Sequence, residues 1–436
     1  MPMKVLELYS GVGGHHAAFA LAQNYSNGRE GSVSFFAFDV NEQANSVYAL
    51  NFGETPSSKD IARLEAHNLD SMGADLWAMS PPCQPYTRNG SRLESDDARA
   101  RSFISLMQTQ FPLLQRPPSH ILLENVLGFE RSDSFEALTK ALEVSKYTWQ
   151  GYIINPNTCG IPNSRPRFYL LAKRGSPFKV SKGNGKCNNS ASAEIGGLIQ
   201  SETPTSIQSY LVPSADLDPA LLVSHRSLWK AGDQYDIVRP HSARTCCFTK
   251  GYGQFARGTG SVLCMASDLE ILSAAVQLGF DKTVVENQSN ANLGQTNWND
   301  GDNSESVISA LQFIFAVYRE RKAQHKPMHS KEYEPAPRVN IATGKLIKQK
   351  NVSAKRKREI DMERGSWPDQ LEACPIAALR LRHFSVKEVA RLQGFPKWFE
   401  FPANLTNEQG WKLLGNSINV KIVSGLMKFL LDDGPQ

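Results

Sequence analysis

Four short apolar runs, each ending in a polar residue or close to one, constrain this chain more than any other feature. They read KVLELYS (4–10), VSFFAFD (33–39), DLWAMS (75–80) and HILLENV (120–126), and glycine loops or helical patterns separate them. Continuous apolar strands alternating with helices require a mainly parallel sheet covered on both faces. YTWQGYIINP and RFYLLAK supply later strands. In such sheets ligands sit beyond the carboxyl ends of the strands. Asp39, Ser80 and Glu124 fall there.

After Lys173 the rhythm stops. RGSPFKVSKGNGKCNNSASAEIGG, rich in Gly, Ser and Asn, reads as linker or irregular surface. Residues 200–265 read as globular but irregular, with CCFTKGYGQFARGTGSVL at their centre. ENQSNANLGQTNWNDGDNSE (286–305) is polar and is expected to be disordered, as is the basic, proline-containing stretch to about 366. Between them SVISALQFIFAVYRERK (306–322) fits one amphipathic helix. Order is expected again from LRLRHFSVKEVARLQGFP, where Ser385 can cap a helix, to LLGNSINVKIVSGLMKFLL at the end.

The chain has 436 residues, 41% hydrophobic and 21% charged, a globular composition. Its apolar runs fall short of the ~18 residues of a membrane span, and Glu7 interrupts the first of them, against a signal peptide. The seven cysteines lack the paired spacing of a zinc site, so reduced thiols in cytosol or nucleus, and no metal, are expected. Net charge is +5, but residues 319–364 alone carry 14 Lys or Arg against 6 Asp or Glu. Any nucleic-acid surface must therefore be local.

YSGVGG (9–14) follows a strand and precedes a helix, so its glycines allow a ligand close to the backbone and to helix-start amides. It is not the dinucleotide pattern G-x-G-x-x-G, which argues against a dehydrogenase. Asp39, ending the next strand, suits a ribose hydroxyl pair or a helix cap. In SPPCQPYT the three prolines stiffen the loop that holds Cys83, as a nucleophile requires and a packed thiol does not. Glu124 ends a buried-looking run, where a carboxylate needs an ion pair, a capping role or a substrate to bind. Arg165 and Arg167 alternate on an extended segment and can face one site, or form a solvated pair.

Tyr9–Gly14, Ser80–Gln84, Glu124–Val126, Arg165–Arg167, Arg391–Pro396 and Gly415–Asn419 occur in the order and spacing of the cytosine-5 methyltransferases, and the chain resembles that family. LELYSGVGG, SPPCQPYT, IPNSR, CFTKGYG, GTGSVL and LLGNSINV resemble the eukaryotic branch that methylates transfer RNA. The likeness covers roughly 1–174, 205–270 and 378–436.

The resemblance implies a Rossmann-like, doubly wound, mostly parallel α/β sheet of the class I methyltransferase type, with a smaller target-recognition domain. Residues 1–174 and 376–436 would form the catalytic domain, 175–279 the recognition region, and 280–375 a basic, largely disordered insertion. It implies that Cys83 adds to cytosine carbon 6, that Glu124 hydrogen-bonds the ring, and that Arg165 and Arg167 orient the base and favour the thiolate. S-adenosylmethionine would lie on Tyr9, Val12, Gly13 and Gly14, with Asp39, Asp60, Ile61, Ser80, Asn416 and Ser417 around it. Cys247, Phe248, Thr249 and Lys250 would meet the RNA, expected to be tRNA-Asp at cytosine 38, with the protein a monomer, cytoplasmic or also nuclear (KRKRE, 355–359). Two rivals stay open: a DNA cytosine-5 methyltransferase with the same residues, and a nucleic-acid-binding relative without turnover.

Overall fold

The structure is a computed structural model that describes residues 3–23, 33–82, 98–175, 178, 187–188, 203–212, 218–281, 305–324 and 375–432. Cys83, the linker after Gly175, and the stretches 286–304 and 325–366 expected to be disordered lie wholly or mostly outside these residues.

The apolar runs form β1 (Lys4–Leu8), β2 (Ser34–Phe38), β3 (Leu76–Met79), β4 (His120–Val126), β5 (Tyr147–Ile154) and β6 (Arg167–Arg174), with the two-residue β7 (Cys187–Asn188) at one edge. Their order is β2-β1-β3-β4-β6-β5-β7. β2, β1, β3 and β4 are parallel, whereas β6 runs antiparallel to both β4 and β5. The sheet is thus mostly parallel and closes with a reversed strand. The connection between β5 and β6, residues 155–166, holds one 3-10 turn at Pro156–Thr158 and no α-helix, the usual crossover element between parallel strands.

Helix α1 (Gly14–Ala22) is buried on nearly every side, and it packs against the helix Val420–Leu431, whose Val420, Ile422, Val423, Leu426, Met427 and Leu430 are also buried. A helix apolar all round must lie inside. The last segment of the chain therefore completes the layer that the first segment starts. α2 (Glu42–Phe52) is capped by Asn41, whose side chain accepts from the amides of Gln43 and Ala44. Beneath the sheet, Leu6, Leu8, Trp77, Met79, Ile121, Leu123, Phe168 and Leu170 join Phe103, Phe111 and Phe129 in one apolar core.

The chain divides into two compact units. The first comprises 1–221, 235–263 and 383–436; the second comprises 222–234 and 264–382. Residues 235–263 belong to the first unit. The reason is a set of ties described below, together with a ring cluster of Phe248, Tyr252, His383, Phe384 and Trp411. Within the second unit the helix Glu305–Gln324 lies in the stretch expected to be a disordered insertion. Val307, Ala310, Ile314 and Tyr318 recur at helical spacing and are buried. The Tyr318 hydroxyl sits 2.8 Å from the Leu228 and Trp229 carbonyls and accepts from the Gly232 amide at 3.1 Å.

Candidate active site

The carboxyl ends of β1 to β4 open into a cavity of about 710 Å³ within the first unit. Its wall includes Tyr9, Val12, Gly14, Asp39, Asp60, Ile61, Ser80, Glu124, Arg165, Arg167, Asn416 and Ser417, from seven separate stretches of sequence. Pro81 and Pro82 also line it. β3 delivers the chain to the cavity as far as Pro82; Cys83 is the next residue and lies outside the described residues.

The glycine loop is shaped by backbone that few side chains tolerate. Gly13 has φ 89° and stands at the N-cap of α1, and a Cβ there would fall 2.3 Å from the Phe52 ring. Tyr9 takes a positive φ of 60° without being glycine, a strain of the kind stored at functional sites. Its hydroxyl lies 3.0 Å from the Ser102 hydroxyl. Asp39 braces the loop from the end of β2. One oxygen accepts from the Gly11 amide and the other from the Asn41 amide, both at 2.8 Å. The helix cap is Asn41, so Asp39 is left facing the cavity. Burial outweighs those two amides and raises its pKa.

Glu124 is 6% exposed at the end of β4. The Arg167 Nε stands 3.4 Å from its Oε1, and Ser80 lies near the same carboxyl on the cavity wall. Burial raises the Glu124 pKa against the opposing pull of Arg167, Arg165 and Ser80. Asn125 next to it donates to the Pro81 carbonyl at 3.1 Å and so ties β4 to the proline loop.

Arg165 is almost wholly buried, and its guanidinium works as a clamp. Nη1 donates to the Phe248 carbonyl at 3.0 Å and approaches the Cys247 Sγ at 3.4 Å. Nη2 donates to the carbonyls of Gly415 (3.3 Å) and Ser417. Residues 247–248 and 415–417 are thereby held to the strand that carries Arg167. Gly415 is required by this closeness: a Cβ there would lie 2.2 Å from the Lys250 amide nitrogen. Burial raises the Cys247 thiol, but Arg165 and Arg167 outweigh it and the net pKa is lowered.

The four residues expected at the RNA separate. Cys247 stands beside the two arginines. Lys250 is exposed, and the Thr249 amide pairs with the Thr259 carbonyl at 2.9 Å. Phe248 is 2% exposed and packs edge-on against Tyr252 and Phe384. An aromatic next to polar residues gives no sequence signal of which way it points.

Sequence reasoning also missed His15, Asn125, Arg101 and Ser102, which line the cavity. Only His15 carried a signal: a histidine directly after Gly-Gly opens the helix that starts at the cavity. Glu7 was read merely as an interruption of an apolar run. It is fully buried, its Oε1 accepts the His15 amide at 3.2 Å, and burial pushes its pKa up to about 8.

The residues fit an adenosine cofactor with a charged tail. The glycine loop offers backbone amides, Asp39 keeps lone pairs for ribose hydroxyls, and Ile61 offers an apolar surface beside Asp60. Among the described residues no cluster of three or more His, Cys, Asp or Glu could hold a metal ion.

Comparison with known proteins places this cavity in context. A family model described as C-5 cytosine-specific DNA methylase matches residues 3–431. The tRNA (cytosine(38)-C(5))-methyltransferase of Schizosaccharomyces pombe is 31% identical over 432 residues, covering 99% of this chain and 97% of that protein. The human enzyme of the same name is 30% identical, covering 99% of this chain and all of that protein. The crystal structure of S. pombe Dnmt2 methyltransferase superposes with a TM-score of 0.62 at 29% identity, covering 99% of each chain. The family model and the full-length relatives agree, and the chain belongs to the C-5 cytosine-specific methylase family, whose members methylate carbon 5 of cytosine with S-adenosylmethionine.

Proposed function

We propose that this protein methylates carbon 5 of a cytosine in the anticodon loop of tRNA, with cytosine 38 of tRNA-Asp as its target. The observation that carries the reading is one cavity in which the glycine loop and Asp39 share walls with Glu124, Arg165 and Arg167. Support for tRNA over DNA comes from the full-length relatives named for cytosine 38 and from the Cys247-Phe248-Thr249 segment held against that cavity. A loop base also costs less to extrude than a paired one.

S-adenosylmethionine, when bound, supplies an electrophilic methyl group. Tyr9, Val12, Gly13, Gly14, Asp39, Asp60, Ile61, Ser80, Asn416 and Ser417 would hold it. The chain's own residues prepare the base. The Cys83 thiolate adds to carbon 6, forming a C–S bond and moving the ring electrons toward carbon 5. Burial raises the Glu124 pKa, which favours sharing a proton between this carboxyl and ring nitrogen 3 as negative charge builds there. After carbon 5 is methylated, a base removes its proton, the ring double bond re-forms and the C–S bond breaks to return the thiolate. Arg167 pairs with Glu124, and Arg165 holds the segments around it in register.

Label transfer from S-adenosylmethionine to tRNA and to duplex DNA, compared side by side with Cys83→Ala as control, tests the reading. Label in tRNA that vanishes in the variant supports it. Label in DNA alone selects the rival DNA methyltransferase. No label in either, with cofactor still bound, selects the binding-only relative.

A further inference from the structure

His15 opens α1 immediately after the glycine loop, with its ring 1% exposed and on the cavity wall. Its Nε2 lies 2.9 Å from the Ser80 hydroxyl, and Ser80 shares the cavity wall with Glu124, close enough to lower the pKa of that carboxyl. Three side chains from α1, the end of β3 and the end of β4 thus follow one another toward the group expected to meet the cytosine ring.

The direction of the His15–Ser80 bond follows from proton counting. Burial holds the His15 pKa down at about 3, so the ring is neutral near pH 7 and carries a single N–H. Its Nδ1 is buried without a hydrogen-bond partner among the described residues. A proton on Nδ1 would bury an unpaired donor, which native structures rarely tolerate; a proton on Nε2 leaves only an unfilled lone pair. The Nε2–H tautomer therefore wins, and His15 donates to the Ser80 oxygen. Ser80 has one hydroxyl proton, and with its oxygen occupied by the His15 donor that proton is left to point toward Glu124, whose pKa Ser80 lowers.

We infer that His15 is a positioning residue, which fixes the Ser80 hydroxyl toward Glu124 and so sets how that carboxyl is presented to the base. The inference rests on the reading of Glu124 as the group that meets cytosine. Without the donor the Ser80 rotor is free, and Glu124 loses part of an interaction that favours its charged form. Its titration midpoint should rise and its orientation loosen. The other charged or titratable groups facing this region are Arg165, Arg167 and Tyr169 around Glu124, and Glu7 behind α1; substitution at His15 leaves all of them in place.

The test uses the full chain with His15→Met, which keeps bulk and loses the donor, and His15→Gln, which keeps a donor. Infrared difference spectra follow the carboxyl titration, with Glu124→Gln identifying the Glu124 band. S-adenosylhomocysteine affinity, expected to change less than about twofold, reports folding of the site. The expected result is a Glu124 midpoint raised by about one unit in His15→Met and restored toward the native value in His15→Gln. Single-turnover methyl transfer should fall by about tenfold in His15→Met, and adding this substitution to Ser80→Ala should cost nothing further. An unmoved midpoint in His15→Met overturns the inference, as does an equal shift in both His15 variants or a multiplicative loss with Ser80→Ala. A His15-dependent midpoint in a protein that transfers no methyl group to RNA upholds the positioning role and removes the functional reading instead.

Discussion

Glu124 shows how a single carboxyl acquires its chemistry from its surroundings. It is buried beside Arg167 and Ser80, and burial prevails. Glu124→Gln keeps the shape but cannot give up a proton, so methyl transfer should drop by about 10²–10⁴-fold while cofactor affinity stays within a few-fold, as single-turnover rates and direct titration would measure. Glu7 makes a separate prediction about stability. Its folded pKa, about 8, lies above the ordinary carboxyl value of 4.5, so its contribution is fully present below pH 4.5 and is lost as pH rises toward 8. In Glu7→Gln that loss disappears. The stability of the native protein relative to this variant should fall by more than about 1 kcal/mol between pH 5 and pH 8 in denaturant melts. The sequence made Cys83, Glu124, Arg165 and Arg167 conspicuous because each breaks an apolar or extended pattern. It could not reveal that His15 meets Ser80 or that Phe248 turns inward, since both depend on which side chains meet after folding.

At the scale of elements, the strands were legible because residues buried on both faces leave unbroken apolar runs. The reversal of β6 was not, since an antiparallel neighbour inside the core is just as apolar. Arg165 binds residues 247–248 and 415–417 together, and this depends on contacts between positions 82 and 252 residues apart, which no local sequence pattern announces. Gly415→Ala tests the join. The added methyl meets the Lys250 amide nitrogen at 2.2 Å and the Thr249 carbonyl carbon at 2.4 Å, backbone atoms that must shift. The variant should lose about 1–3 kcal/mol in denaturant melts and also lose methyl-transfer activity.

On the scale of the whole molecule, the chain's last helix belongs to its first strand–helix unit. α1 is buried on nearly every side, and it packs against Val420–Leu431, in which at least six large apolar side chains are buried. Each fully buried side chain of this kind contributes about 1.5–3 kcal/mol, so deletion after Asn419 should leave no cooperative unfolding transition in calorimetry, even though every residue of the glycine loop is retained. That return was legible through the resemblance of the terminal LLGNSINV segment to one family. The helix Glu305–Gln324 was legible as an amphipathic pattern, but its flanking polar text hid that Tyr318 would be buried.

The central claim is that Cys83 attacks a cytosine of tRNA from the end of β3. It is tested most directly with a tRNA-Asp anticodon stem-loop carrying 5-fluorocytidine at position 38, incubated with S-adenosylmethionine and resolved under denaturing conditions. Fluorine at carbon 5 leaves no proton to remove, so release of the thiolate is blocked. The account predicts a covalent protein–RNA species with the native chain and none with Cys83→Ala. A covalent species that survives Cys83→Ala, or methylated RNA released without any adduct, would contradict it.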